Sequence, residues 1–106
     1  MKESFAQAIS AAISEEMRRD DTVLVYGEDV AEMGGIFCAT KGILDEFGPK
    51  RCISTPISEG AIVGSAIGAA MTGLRPCVEL MYSDFQLVAF NELFHSCGKW
   101  RYLHGE

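Results

Sequence analysis

In the stretch TPISEG, Thr55 to Gly60, Glu59 heads an uncharged, small-residue run in which no charge appears until Arg75. Two more acid-bearing stretches share its setting, Gly27-Glu28-Asp29 and Tyr82-Ser83-Asp84-Phe85, each close behind a short apolar run. Carboxyls brought close together raise one another's pKa, so one member of such a set can keep or pass a proton near neutral pH. The same oxygens, from Glu28, Asp29, Glu59 and Asp84, can instead hold a cation. The plainest account of Glu59 alone is electrostatic. With Ser58 as the helix cap, an acid in the first turn favours the positive end of the helix dipole by about 0.3–1 kcal/mol.

The run behind Glu59 argues for more than a dipole. Gly60, Gly64 and Gly68 recur at every fourth residue, with Ala61, Ser65 and Ala69 beside them, so one helix face is nearly bare backbone. Each glycine costs about 0.5–1 kcal/mol against alanine in a helix, and close approach of another helix or a ligand is the natural compensation. The same spacing serves membrane dimers. The run is shorter than the roughly 20 apolar residues a span requires, and a packed helix–helix interface fits it better.

These acids must be positioned by the elements around them. Phe5, Ala8, Ile9, Ala12, Ile13 and Met17 fall at three- and four-residue steps, which predicts an amphipathic helix over residues 2–19. Thr22 to Tyr26 is a β-branched apolar run ended by Gly27, the pattern of a strand buried on both faces. A loop with Gly34-Gly35 leads to a short helix over residues 40–47 that Gly48-Pro49 stops. Further along, the sequence predicts strands at residues 51–54 and 76–81 and helices at 58–71 and from 84 to about 100. Alternating helices and strands imply an α/β layer with a mostly parallel sheet, in which ligands sit beyond the carboxyl ends of the strands. All three acid-bearing stretches fall on that rim. Three strands make a thin sheet for such an architecture, so the expectation is an N-terminal piece of something larger, or a chain that completes its sheet with a partner.

Composition narrows the classes. At 106 residues, 48% of them hydrophobic, the chain suits one globular domain and no second one. A net charge of −6 without any Lys/Arg run argues against a nucleic-acid surface. The acidic, amphipathic opening carries Glu3, Glu15 and Glu16 and is neither a secretory signal nor a transit peptide, which points to cytoplasm or an organelle matrix. Cys38, Cys52, Cys77 and Cys97 lack metal spacing, and four buried free thiols are expected rather than two disulfides. His95 and His104 lack a partner at ligand spacing. Neither a Walker loop nor a GxGxxG stretch is present, so phosphate binding is not expected of this chain.

The segments GEDVAEMGGIFCATKGILDEFGPKR, TPISEGAIVGSAIGAAMTGLRP, VELMYSDF and KWRYL strongly resemble the β subunit of the thiamine-diphosphate-dependent decarboxylase component of 2-oxo acid dehydrogenase complexes. Pyruvate and acetoin dehydrogenases are the types most similar to it. The resemblance runs from about Met1 to Leu103 and covers the first third of such a subunit. It implies one incomplete module over residues 1–106, a partial three-layer α/β fold resembling the pyrimidine-binding module of transketolase-like thiamine enzymes. In the family a glutamate hydrogen-bonds N1′ of the cofactor's aminopyrimidine and so promotes loss of the C2 proton; Glu59 matches it. Phe85 matches the aromatic that packs on the pyrimidine, Glu28 an acid near the cofactor suited to proton relay, and Ile57 and Met81 are candidates for the apolar wall.

The resemblance also implies partners. The diphosphate and its Mg²⁺ are held in the family by a GDG-containing α subunit, in an α2β2 heterotetramer that passes its acyl group to a lipoyl acyltransferase. No GDG motif occurs here, so the isolated chain is expected to have negligible activity. Where the family usually has an Asp-Gln pair followed by Asn and small residues, this chain has Asn91-Glu92 and then His95-Ser96-Cys97-Gly98, in a helix expected at a subunit contact. The alternative is a truncated, non-catalytic binding or assembly module on the same scaffold. Pyruvate, acetoin and branched-chain oxo acids all stay open as substrates.

Overall fold

The computed structural model describes residues 3–105; Met1, Lys2 and Glu106, part of the module expected above, lie outside the described residues. The first helix, α1 (Phe5–Arg19), starts at a reciprocal cap in which Ser4 Oγ accepts from the Gln7 N–H and Gln7 Oε1 accepts from the Ser4 N–H. Its buried residues are Ser14 and Met17, while Phe5 is 89% exposed, so only the later turns of its apolar face meet a core. Asp20 ends it and turns the chain, accepting from both the backbone N–H and the hydroxyl of Thr22.

The turn delivers β1 (Val23–Glu28) to the centre of a three-stranded sheet. Strands β2 (Cys52–Thr55) and β3 (Arg75–Glu79) flank it, both parallel to it, in the order β2-β1-β3. The centre position explains the double burial expected of this strand. Alternation then sorts the side chains. Val25 is in register with Cys52 and Cys77, and Tyr26 with Ile53 and Val78, so neighbouring residues of β1 serve opposite faces.

The Val25 face is closed by α1 and by α2 (Ile43–Phe47). Met17, Val25, Val30, Ala31, Ile43 and Cys52 form its core. Arg51, just before β2, locks this face: its guanidinium donates to the carbonyls of Met17, Asp20 and Val23 and lies over the Phe47 ring. Charge-assisted bonds to the Met17 and Asp20 carbonyls serve the end of α1, and the bond to Val23 ties it to β1. A paired Arg18–Glu46 contact ties α1 to α2 on the surface.

The Tyr26 face carries α3 (Glu59–Met71), whose Ile62 and Val63 are buried against the sheet. The Tyr26 hydroxyl reaches this helix at Ser65 Oγ, 3.0 Å away. The expected glycine face is covered at one point, where an added Cβ on Gly64 would meet the Glu92 side chain; at Gly60 and Gly68 nothing lies within 4 Å.

One predicted helix is not continuous. In place of a single helix from Asp84 to about Trp100 there are a 3₁₀ turn (Ser83–Leu87), a π-helical stretch (Asn91–Cys97) and α4 (Gly98–His104). Of the apolar stripe Phe85, Val88, Ala89 and Leu93, only Ala89 is buried, and Val88 is 60% exposed. Helices draw most of their stability from packing an apolar face, and this stripe finds little to pack on besides α3. The cysteine expectation is also corrected. All four thiols are free, but only Cys52 is buried; Cys38, Cys77 and Cys97 are exposed because β3 and the segments carrying Cys38 and Cys97 are covered on one side at most.

Candidate functional site

At the carboxyl edge of the sheet β1 ends on Glu28 and β2 on Thr55, and the two are register partners. Register partners in a parallel sheet project to one face, and two residues on from Tyr26 that face is the one α3 covers. Glu28 is therefore driven under the start of α3 and is only 5% exposed. Glu59, the first residue of α3, is 8% exposed beside it. The strand sets one acid and the helix start sets the other.

Their electrostatics follow from that placement. Burial pushes the Glu28 carboxyl up, the nearby Glu59 carboxyl pushes it further, and Asp29 adds a smaller push in the same direction. The Ser58 backbone N–H opposes them by favouring the charged form. Glu28 Oε1 is buried without a hydrogen-bond partner, and so is Thr55 Oγ1. Two paired positions thus present unspent hydrogen-bonding capacity to the same small region. Such an arrangement can hold a proton and can receive a polar ring edge.

The expected cap at Ser58 is not there. Its hydroxyl donates back to the Pro56 carbonyl at 2.9 Å and makes no bond to the first turn of α3. A backbone φ of −168° and ψ of 58° turns the side chain towards its own loop, and the Ser58 N–H is left to face Glu28. The dipole account of Glu59 therefore stands on the helix end alone.

The other sequence candidates are less buried than this pair. Ile57, on the loop between β2 and α3, is 81% exposed. Met81 is half-buried beyond the end of β3, and Phe85 lies in the 3₁₀ turn, 41% exposed. The Phe85 ring packs on Tyr82, which in turn meets Phe37 edge-on, so this aromatic cluster leans towards the Gly34-Gly35 loop. Asp84 is exposed and is not among the charges acting on Glu28. Asp29 points outward as well. Of the acids expected on one rim, the fold joins Glu28 and Glu59 and leaves Asp29 and Asp84 in solvent. Among the described residues no group of three or more His, Cys, Asp or Glu is placed to hold a metal ion.

Sequence reasoning passed over a third acid drawn out of water. Glu79, half-buried at the end of β3, faces the opposite side of the sheet and borders a cavity of about 660 Å³ walled by Phe5, Ile9, Ile13, Val25 and Phe37. Burial raises its pKa, and Glu79 Oε2 is buried without a partner. Gly35 closes over it with φ of 77°; a Cβ there would sit 2.8 Å from that oxygen. A lone acid inside the apolar run PCVELM was the signal available in the sequence.

Comparison with known proteins agrees with this architecture. The family model described as "Transketolase, pyrimidine binding domain" matches residues 2–105. The chain is 47% identical over 105 residues to the pyruvate dehydrogenase E1 component subunit beta of Rickettsia felis, covering 99% of this chain and 32% of that protein. It is 46% identical over 99 residues to the 2-oxoisovalerate dehydrogenase subunit beta of Bacillus subtilis, covering 93% and 30%. A chloroplastic pyruvate dehydrogenase E1 component subunit beta-3 of Arabidopsis thaliana is 48% identical over 99 residues, covering 93% and 24%. The chain thus spans about a third or less of the length of these relatives.

Proposed function

The chain belongs to the transketolase pyrimidine-binding domain family, and from that premise we propose that it supplies the aminopyrimidine half of a thiamine diphosphate site in a 2-oxo acid dehydrogenase. The observation that carries the reading is the buried Glu28–Glu59 pair at the sheet's carboxyl edge, with exposed apolar side chains at Ile57, on the loop just before Glu59, and at Phe85, on the turn beyond β3. Buried acids beside uncovered apolar groups suit a ring that covers both. The unpartnered Glu28 Oε1 and Thr55 Oγ1 fit the same group, because they keep polar capacity at the place where a heterocycle's nitrogens would arrive.

Thiamine diphosphate, when bound, supplies a thiazolium carbon whose proton must leave before a 2-oxo acid can be attacked. Glu59 hydrogen-bonds N1′ of the aminopyrimidine and fixes the ring's orientation, a bond strengthened by the low local dielectric of its buried position. Phe85 packs on the ring face, and Ile57 and Met81 exclude water from its edge. Glu28 keeps a proton beside Glu59 at a pH where an ordinary glutamate has lost it.

The chain has no GDG motif, so the diphosphate and Mg²⁺ fall to an α-type subunit. An α2β2 assembly delivering acyl groups to a lipoyl acyltransferase follows from the same reading. The names of the relatives support pyruvate or 2-oxoisovalerate as substrate, and acetoin stays open beside them. Among the described residues no helix is long and apolar enough to cross a membrane. The bacterial and chloroplastic relatives support a bacterial cytoplasm or an organelle interior for the assembly.

An assembly module without chemistry is the second reading, favoured by the exposed apolar side chains at Leu87, Val88, Phe90, Phe94 and Leu103. One experiment separates the two. The full-length polypeptide is co-expressed with an α-type subunit, and hydrogen–deuterium exchange at C2 of added thiamine diphosphate is followed with Mg²⁺ present. Glu59→Gln should slow exchange by about 10²–10⁴-fold. Equal rates for wild type and variant would leave the assembly reading in place.

A further inference from the structure

The link between the two acids depends on how α3 is held against β1, and the helix does little to hold itself. Its first turn has no side-chain cap, and Gly60, Gly64 and Gly68 remove side-chain contacts along one face. Besides the packing of Ile62 and Val63 on the sheet, what binds it near Glu59 is a set of hydrogen bonds reached from β1. Ser65 Oγ lies 3.0 Å from the Ile62 carbonyl, and the Tyr26 hydroxyl stands 3.0 Å from Ser65 Oγ and 3.4 Å from the same carbonyl. Each hydroxyl has one proton, so one of the two donates to the Ile62 carbonyl while the other donates to its neighbouring hydroxyl.

The spacing gives this set its leverage. Tyr26 precedes Glu28 by two residues on the same strand face, and Ile62 follows Glu59 by about one helical turn. Each end of the clasp is therefore one step from one of the two acids. Tyr26 is only 9% exposed and the Ile62 carbonyl is buried with it, while Ser65 lies at the exposed end of the set.

We infer that Tyr26, acting through Ser65 and the Ile62 carbonyl, is a positioning residue that sets how closely Glu59 approaches Glu28. The inference rests on the proposed role of Glu59. The groups facing Glu28 are Glu59 and the Ser58 amide from the α3 side, Asp29 beyond its own strand, and Thr55 in register on β2. Tyr26 touches none of the cofactor-facing atoms assigned above, so its effect passes through the position of α3. Slackening the clasp lets Glu59 move off and water enter, and the proton on Glu28 is held less tightly.

The test uses the full-length assembly with its α-type subunit, carrying Tyr26→Phe, Ser65→Ala or both. Two readouts are taken: the pH profile of C2 exchange with cofactor, and the pH dependence of the unfolding temperature without it. Expected for Tyr26→Phe are a roughly tenfold slower plateau and a carboxyl midpoint moved down by about half a pH unit or more, with the cofactor-free profile moving the same way. Ser65→Ala, at an exposed position that keeps the core intact, should reproduce both shifts, and the double variant should add nothing. A lowered unfolding temperature with unmoved midpoints and plateau rate, in either variant, would make the clasp purely structural and overturn the inference. Glu59→Gln is the control: if it too leaves exchange unchanged, the proposed function itself fails, whereas a dead Glu59→Gln beside unaffected clasp variants refutes the clasp alone.

Discussion

Glu28 and Glu79 stand on neighbouring strands of one sheet, each with a carboxyl oxygen cut off from water, and that loss of water raises the pKa of both. Their surroundings differ. Glu28 has Glu59 beside it, the Ser58 amide opposed to it and a helix start above it. Glu79 faces apolar walls on the other side of the sheet, with Gly35 as its nearest cover. A raised pKa is thus a poor marker of function by itself. What sets Glu28 apart is its neighbourhood, with a second buried carboxyl, Glu59, acting on it at the edge of the sheet.

The sharpest way to break this contrast is to neutralise each acid in the full assembly. Glu28→Gln should slow C2 exchange by about 10²-fold or more, the low end of a positioned proton-handling group. Glu79→Gln should leave the rate within about twofold, the scale of a change outside the reacting groups. A loss of comparable size at Glu79 would erase the distinction.

Next in size is the cover over Glu79. Gly35→Ala combines a left-handed backbone with a Cβ 2.8 Å from Glu79 Oε2. It should destabilise by about 1–3 kcal/mol in urea unfolding. Adding Glu79→Gln should not rescue the backbone part of that loss.

The pH dependence of stability sharpens the comparison further. A carboxyl whose folded pKa lies above its unfolded value contributes stability that is fully present below the unfolded pKa and is lost as pH rises through the folded one. Glu28 and Glu79 both have this sign, so from the ordinary glutamate range upward each weakens the fold. Glu28→Gln and Glu79→Gln should each raise the urea midpoint at pH 8 relative to pH 4.5. The Glu28 effect should shrink when Glu59→Gln is also present, and the Glu79 effect should stay the same.

The smallest expected effect lies on α3. A Cβ added at Gly68 would meet nothing within 4 Å, so Gly68→Ala should stabilise the chain by about 0.5–1 kcal/mol. If the bare face serves a partner helix, the same variant should weaken co-purification with the α-type subunit. Unchanged assembly would show that this face is not the contact.

Much of the fold was legible. The apolar run before Gly27 announced a central strand, and the alternation of element types announced a parallel sheet. The last helix misled, because its stripe of Phe85, Val88, Ala89 and Leu93 carries a helical period that nothing among the described residues fully covers. Ser58 misled for a local reason: its hydroxyl found the Pro56 carbonyl before it found the helix. Among the acids of the rim, Glu28, Glu59, Asp29 and Asp84 looked equally eligible in the sequence, and the fold buries only the first two.

By itself the sequence determined which segments become strands and helices as far as β3, their order, and that acids stand where strands end, since these follow from local periodicity and from turn residues. Tertiary structure decided which acids meet. Pairing of Glu28 with Thr55 across β1 and β2, and the seating of α3 on Tyr26, put Glu28 and Glu59 on one face and Glu79 on the other. A shift of one residue in that register would have turned Glu28 to the opposite side, because side chains in a strand alternate with a period of two.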